Sequence, residues 1–291
     1  MHPLHGVYRG RFAPSPTGPL HWGSLYAAVA SWLDARSHAG TWLVRIEDVD
    51  GQRCRPEWTD AILNTLDRHG LISDEPVIRQ SERGALYQEH LNRLIEAGHV
   101  YACPCSRKDL QQGHRPDCPA PGTRTDIAWR LRFHAQRYSF FDRRLGLCTF
   151  PPAPARTDPV LRRRDGFWAY QLAVVADDIA QGVTDIVRGE DLLTSTPVQL
   201  HLYRLLGNSA PRYLHLPLVT RNGQKLSKQN LAEPVSDTTP TANLLQVLQW
   251  LGINLDATAE TSPARLLQSA IRHWPPIRAL MGGDVQLPDP A

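Results

Sequence analysis

Two short stretches combine residue types at a spacing that could manage a cleaved polyphosphate. The first is Val-Tyr-Arg-Gly-Arg-Phe-Ala-Pro-Ser-Pro-Thr-Gly-Pro-Leu-His-Trp-Gly-Ser, residues 7–24. It reads as a β run (Val7 to Ala13), a Pro/Gly loop (Pro14 to Pro19) and a helix start at His21. A helix N-terminus offers free backbone N–H groups and the positive dipole end, which suits an anion. There His21 can donate to a phosphate oxygen, and Gly23 lets backbone approach a ligand closely. The second stretch, Leu218 to Lys228, closes a strand-like run with a turn and places Lys225 and Lys228 three residues apart. Two ammonium groups on one small loop match the charge spread over a triphosphate during cleavage. The same residues also suit a plain strand-to-helix connection and a solvated basic loop.

A third group could hold a metal. Cys103, Cys105, His114 and Cys118 form a C-x-C-x8-H-x3-C array in a hydrophilic Pro/Arg/Gly stretch. Three thiolates and an imidazole suit tetrahedral Zn2+, and four protein ligands leave no open position, so the expected role is structural. Asp117 is an alternative fourth ligand, and buried thiols are the alternative to a metal site. Cys54 and Cys148 stand apart from the array.

The elements that must position these residues alternate. Behind His21, Leu25, Ala28, Val29, Trp32 and Leu33 recur at helical spacing, and Gly40 is the expected stop. Trp42 to Ile46 reads as a strand ending in Glu47-Asp48-Val49-Asp50, acids at the place where open α/β sheets put ligand contacts. Helices follow from Pro56 to Gly70 and from about Glu82 to Gly98. Residues 103–165 break the rhythm, with one hairpin expected from Ala128–Phe133 and Tyr138–Phe150. The pattern resumes at Tyr170 to Ala176 and Asp185 to Arg188, and a helix opens near Pro197, capped by Ser195 or Thr196. After Pro234 the chain reads as helical, then as a polar, Pro-rich tail expected to be disordered. The fold class is therefore α/β, a Rossmann-like doubly wound parallel sheet with an insertion and a small helical C-terminal segment. The expected boundaries are 1–102, 103–165, 166–234 and 235–291.

The 291 residues carry a formal net charge of +3, too mild to argue for nucleic acid alone. Between Arg124 and Arg164, however, ten arginines face three acids, a segment able to touch phosphate backbone or to be ion-paired. No apolar run reaches the roughly 20 residues needed to cross a bilayer, and Met-His-Pro-Leu-His is no signal peptide. A cytoplasmic protein is expected.

Together HWGS (21–24) and KLSKQ (225–229) resemble the two signature motifs of class I aminoacyl-tRNA synthetases. The run RFAPSPTGPLHWGS resembles the glutamyl/glutaminyl branch, as do RIEDVD (45–50), GFWAYQLAVVADD (166–178), VRGEDLLTSTP (187–197) and HLPLV…KLSK (215–228). Ser24 departs from the usual final histidine of the first motif. The short, zinc-containing form of this core is similar to the glutamyl-queuosine tRNA(Asp) synthetase family, which attaches glutamate to the queuosine base of an anticodon.

That resemblance implies ATP with Mg2+, L-glutamate, and tRNA(Asp) carrying queuosine as partners, with a monomer expected. It implies His21, Gly23 and Lys228 as ATP contacts, with Lys225 beside them. Arg11 and Arg188 become candidates for the glutamate side-chain carboxylate, Glu47 for its ammonium, and Tyr170 and Ser15 for hydrogen bonds. It also puts a zinc site in the insertion, with His114 in the slot where a tyrosine is common. A compact glutamyl-tRNA synthetase acting on a 3′ end, a non-catalytic RNA-binding paralogue and a nucleotidylyltransferase remain as alternatives.

Overall fold

The computed structural model describes residues 7–105, 126–133, 137–151, 158–221, 224–225, 234–256, 261–274 and 284–286. Strand β1 (Arg9–Phe12) leads through the proline loop into helix α1 (Trp22–Ser37), which returns to β2 (Thr41–Ile46). Helix α2 (Pro56–Arg68), strand β3 (Ile78–Arg79), helix α3 (Gly84–Glu96) and strand β4 (Val100–Cys103) follow. The middle of the chain is strand-rich, with β5 (Ala128–Leu131), β6 (Tyr138–Asp142), β7 (Gly146–Phe150) and β8 (Val160–Arg162). Then come α4 (Tyr170–Ala180), β9 (Asp185–Gly189), α5 (Thr196–Leu205) and β10 (Arg212–Leu216). Last are β11 (Val219–Arg221), β12 (Gln224–Lys225), α6 (Pro240–Trp250), α7 (Pro263–Ala270) and β13 (Val285–Gln286).

Seven strands form the main sheet in the order β3-β2-β1-β9-β10-β6-β7. All neighbours run parallel except the β6–β7 pair. The chain winds outward from β1 to β2 and β3, then restarts on the other side at β9. The switch point, where an open α/β sheet binds its ligand, therefore lies between β1 and β9.

Period-two patterning gives this sheet two unlike faces. Phe12, Trp42, Val44, Ile46, Val187, Leu214 and Leu216 point one way and join the cluster built on α1, α6 and α7. The alternate positions carry Arg11, Arg45, Arg188, Tyr213 and His215, all buried. These meet α4, whose Asp177 and Asp178 lie beneath a second apolar cluster shared with α3 and α5. Buried charge is tolerated only when paired or hydrogen-bonded, and on this face Asp177 and Asp178 supply partners for Arg11 and Arg45.

Several expectations shift. The hairpin is β6 with β7 alone; β5 pairs with β4 and β8 in a separate three-stranded sheet, while β6 extends the main sheet beside β10. Helix α1 ends with Ala39, not Gly40, in the left-handed region (φ 50°). Gly40 is needed for a different reason: a Cβ there would sit 2.6 Å from the Tyr8 carbonyl oxygen. The tail expected to be disordered contributes β13, which pairs parallel with β11. No described helix is long and apolar enough to cross a membrane.

Candidate active site

A cleft of about 460 Å3 opens at the switch point, over the carboxyl ends of β1, β9 and β10. Arg11, Ser15, His21, Gly23, Glu47, Tyr170 and Arg188 all line it. Residues spread over nearly 180 positions thus converge on one cavity, because parallel strands deliver their loops to the same edge. The proline loop is tied down from both sides: the Glu47 amide donates to the Pro14 carbonyl at 2.9 Å, and Arg55 to that of Pro16 at 3.0 Å.

Strand β11, which precedes the lysine turn in the chain, reaches the same place. Leu218 and Val219 line the cleft, and Thr220 of β11 pairs antiparallel with Lys225 of β12. The chain comes back at Pro234, which forms a bridge to His21, and the Val235 amide donates to the Leu20 carbonyl at 2.9 Å. The C-terminal flank of segment 226–233 therefore adjoins the HWGS loop, and β11 lines the same cleft. Lys228 itself, with His114 and Cys118, lies outside the described residues.

His21 is the N-cap of α1. Its Nδ1 accepts from the Ser24 amide at 3.3 Å, and its Nε2 lies 3.0 Å from the Ser24 hydroxyl. Ser24, where the motif usually ends in histidine, thus holds the ring of the motif's first residue.

Around Glu47 the polar face is densely charged. Arg11 pairs with Asp178 at 3.1 Å, and Arg45 reaches Asp178 at 2.8 Å and Glu47 at 3.6 Å. Burial raises the Asp178 carboxyl, yet Arg11 and Arg45 outweigh it and hold it below the usual range. Glu47 differs. Burial pushes it from 4.5 up to about 7 against the pull of Arg45 and Arg11, and its Oε1 accepts no hydrogen bond among the described residues. Glu47 lines the cleft, and its buried Oε1, 3.6 Å from Arg45 Nη2, has no hydrogen bond among the described residues, so the carboxylate retains capacity for a cation.

Arg188 is held quite otherwise. Its Nε donates to His215 Nε2 at 3.1 Å, Nη1 to Gln199 Oε1 at 2.8 Å, and Nη2 to Thr196 Oγ1 at 2.9 Å and the Leu192 carbonyl at 3.3 Å. The guanidinium also lies over the Tyr213 ring, 5.0 Å from its centroid. Every one of these acceptors is neutral. Among the described residues Arg188 has no carboxylate partner, although it is only 4% exposed. Of Ser195 and Thr196, the two residues expected to cap α5, Ser195 holds the N-cap position without a side-chain cap bond, and the Thr196 hydroxyl is drawn to Arg188.

Tyr26, Asp178 and His215 were not legible as site residues. Tyr26 lines the cleft with a buried hydroxyl that has no partner among the described residues; its only signal was its place three residues after Gly23 on α1. Among the described residues, several arginines of the 124–164 segment have carboxylate partners within the chain. Arg143 clasps Asp34 at 2.6 and 2.8 Å, Arg163 meets Asp165 at 2.6 Å, and Arg144 and Arg164 pair with Glu190 and Asp126. Of the metal array, Cys103 ends β4 in register with Ala128, buried, and Cys105 follows two residues on. Among the described residues no group of three or more His, Cys, Asp or Glu side chains is placed to hold a metal.

Comparison with known proteins agrees with this geometry. The family model for the catalytic domain of class I tRNA synthetases (E and Q) matches residues 8–126 and 121–260. The Glutamyl-Q tRNA(Asp) synthetase of Xanthomonas campestris pv. campestris (strain 8004) is 50% identical over 276 residues, covering 93% of each chain. That of Neisseria gonorrhoeae (strain ATCC 700825 / FA 1090) is 49% identical over 284 residues, covering 92% of this chain and 96% of the relative. Among solved structures, a glutamate tRNA ligase from Elizabethkingia meningosepticum in complex with its amino acid superposes with a TM-score of 0.79 at 23% identity. The match spans 97% of this chain and 67% of that one, and it shows the shared fold. With a class I catalytic model across the sheet and relatives of half-identical sequence along nearly all of its length, the chain belongs to the glutamyl-Q tRNA(Asp) synthetase family of class I aminoacyl-tRNA synthetases.

Proposed function

We propose that the protein activates glutamate with ATP and transfers the glutamyl group to the queuosine base of tRNA(Asp). One observation carries the choice of amino acid: the cleft is lined by a buried guanidinium with no carboxylate partner among the described residues, Arg188, and by a buried carboxylate, Glu47, whose Oε1 accepts no hydrogen bond there. Glutamate offers the complement, an extra carboxylate at one end and an ammonium near the other. Arg188 takes the side-chain carboxylate and Glu47 the ammonium. Tyr170 and Ser15 hydrogen-bond the substrate, and Arg11, already shared with Asp178, adds field more than contact.

The reaction needs no nucleophile from the protein. An oxygen of the α-carboxylate attacks the α-phosphorus of ATP, the bond to the bridging oxygen breaks, and pyrophosphate leaves. The protein's work is alignment and charge stabilisation. The α1 N-terminus, with His21 and the backbone near Gly23, serves the α-phosphate, and Lys225 and Lys228 serve the β- and γ-phosphates. Mg2+ bound with the nucleotide would neutralise phosphate charge. In the second step a hydroxyl of the queuosine cyclopentene diol adds to the adenylate carbonyl carbon and AMP departs. An unpaired, splayed base is the form in which proteins usually read RNA.

The donor set Cys103, Cys105, His114 and Cys118 fits a structural Zn2+, with soft ligands starting at the end of β4. Metal analysis of purified protein should find one zinc per chain, lost in C118S.

Glutamate-dependent ATP–pyrophosphate exchange without tRNA tests the first step. Activity is expected with glutamate, little with glutamine or aspartate, and strong loss in K228A. Exchange that is absent, or indifferent to the amino acid, rejects the assignment. Comparing tRNA(Asp) with and without queuosine tests the acceptor, and equal charging of both would point to the 3′ end.

A further inference from the structure

The binding residue Arg188 is oriented by a pair that lies behind it and lines no part of the cleft. His215 is the register partner of Arg188 on the next strand, and Asp142 is that of Tyr213 on the strand beyond. Both are fully buried, at 0% exposure. An arginine Nε–H can only donate, so His215 Nε2, 3.1 Å away, must accept. The ring proton therefore sits on Nδ1, and Asp142 Oδ2 takes it at 2.7 Å. Asp142 is itself locked: Oδ2 also accepts from the His215 amide at 3.1 Å, and Oδ1 from the amides of Arg144 and Leu145 at 2.9 and 3.0 Å. Burial, with Arg188 beside it, keeps the imidazole neutral despite the pull of Asp142.

The arrangement answers a physical difficulty. A carboxylate placed against Arg188 would fix its orientation but would neutralise the charge that substrate needs. A neutral imidazole fixes the orientation and leaves the charge intact, yet an imidazole has two tautomers, and the wrong one would set an N–H against an N–H. Asp142, one residue further back, selects the tautomer without touching the guanidinium. We infer that Asp142 and His215 are positioning residues that hold Arg188 as an uncompensated, correctly aimed cation for the side-chain carboxylate of the substrate. This rests on the glutamate reading above. It also means that β6, from the segment expected as an insertion, supports the amino-acid pocket.

The test uses the full chain in the exchange reaction, with glutamate and ATP varied separately. In D142N the amide can donate to Nδ1 and move the ring proton to Nε2. The KM for glutamate should rise about tenfold, the scale of one buried donor left unsatisfied, while the KM for ATP stays within about twofold. H215F should behave like D142N, and H215Q, whose amide oxygen can accept from Arg188, should recover most of the loss. Nitrogen-15 NMR of ring-labelled histidine should find a neutral Nδ1–H tautomer at His215 in the wild type, changing in D142N. The inference is overturned if wild-type exchange is normal while D142N and H215F keep wild-type KM for glutamate. It is equally overturned if both substrates' KM values rise together with falling Tm, as a merely structural role would produce, or if His215 is found as the Nε2–H tautomer. If D142N does not fold, H215F against H215Q makes the same comparison. Failure of the wild type to exchange with glutamate would instead strike the functional reading, while the tautomer still reports on the pair.

Discussion

Arg11 and Arg188 are the same residue at equivalent places, each near the carboxyl end of one of two adjacent parallel strands, each 4% exposed, each lining the cleft. Their partners differ in kind. Arg11 faces Asp178, which also binds Arg45 and accepts from the Tyr203 hydroxyl at 3.2 Å. Arg188 faces an imidazole, an amide oxygen, a hydroxyl and a carbonyl. The first guanidinium is part of the fold's internal charge balance. The second is desolvated with no carboxylate partner among the described residues, which is costly unless a ligand supplies the anion. Residue type and burial do not separate a structural arginine from a binding one; the charge of its neighbours does.

The largest test of that distinction is R188M. Truncating one side of a buried charge pair between protein and ligand costs about 2–5 kcal/mol, so exchange with glutamate at low concentration should fall by roughly a hundredfold or more. Unfolding stability should change by less than about 1 kcal/mol, because a buried unpaired charge is removed and its neutral partners can rebond. The mirror experiment is R11M. There Asp178 loses one of its two cations and denaturant unfolding should show a loss of about 3 kcal/mol, the lower end for a broken buried pair, since Arg45 remains. If R11M proves stable and R188M does not, the comparison is wrong.

The partner of Arg188 across the cleft adds a pH dependence. Glu47 must be ionised to take an ammonium, yet burial pushes it from 4.5 up to about 7 in the ligand-free protein. Glutamate affinity should therefore climb as pH rises through about 7 and level off above it, and E47Q should bind weakly with no such climb. Stability moves the opposite way. A carboxyl whose folded pKa is raised contributes stability that is full below its unfolded value and lost as pH rises through the folded one. Between pH 4.5 and pH 7 or above, the wild type should lose on the order of 3 kcal/mol relative to E47Q, measured by denaturant unfolding at several pH values.

What the sequence could and could not reveal follows from how local each signal is. The strand–loop–helix of residues 7–24 was legible because proline, glycine and helical spacing are short-range chemistry, and family resemblance supplied Arg11, Glu47, Tyr170 and Arg188, all found on the cleft. Arg188, Tyr213 and His215 share one buried face of β9 and β10, a face that only the strand pairing reveals. Periodicity reports which face a residue takes, not which strand lies beside it. Asp178 is 167 residues from Arg11 and Asp142 is 73 from His215, so neither partnership leaves a local trace. The separation of β5 from the β6–β7 hairpin was hidden for the same reason, since strand order is decided by long-range pairing.

The smallest effect sharpens the comparison most finely. Thr196 Oγ1 accepts from Arg188 Nη2 at 2.9 Å, but the same nitrogen also donates to the Leu192 carbonyl at 3.3 Å. In T196V the shape is kept and one neutral acceptor is lost, while the guanidinium keeps three others and its full charge. A single hydrogen bond of this kind is worth about 1 kcal/mol, so the KM for glutamate should rise about fivefold with the KM for ATP unchanged. Stability should fall by about the same 1 kcal/mol or less, because the freed N–H still has the Leu192 carbonyl. If Arg188 were held by charge pairing as Arg11 is, one hydroxyl would hardly matter to it and T196V would be silent in both measurements. A graded response in glutamate KM, with R188M far above T196V, is the pattern that neutral acceptors aiming an uncompensated cation must give.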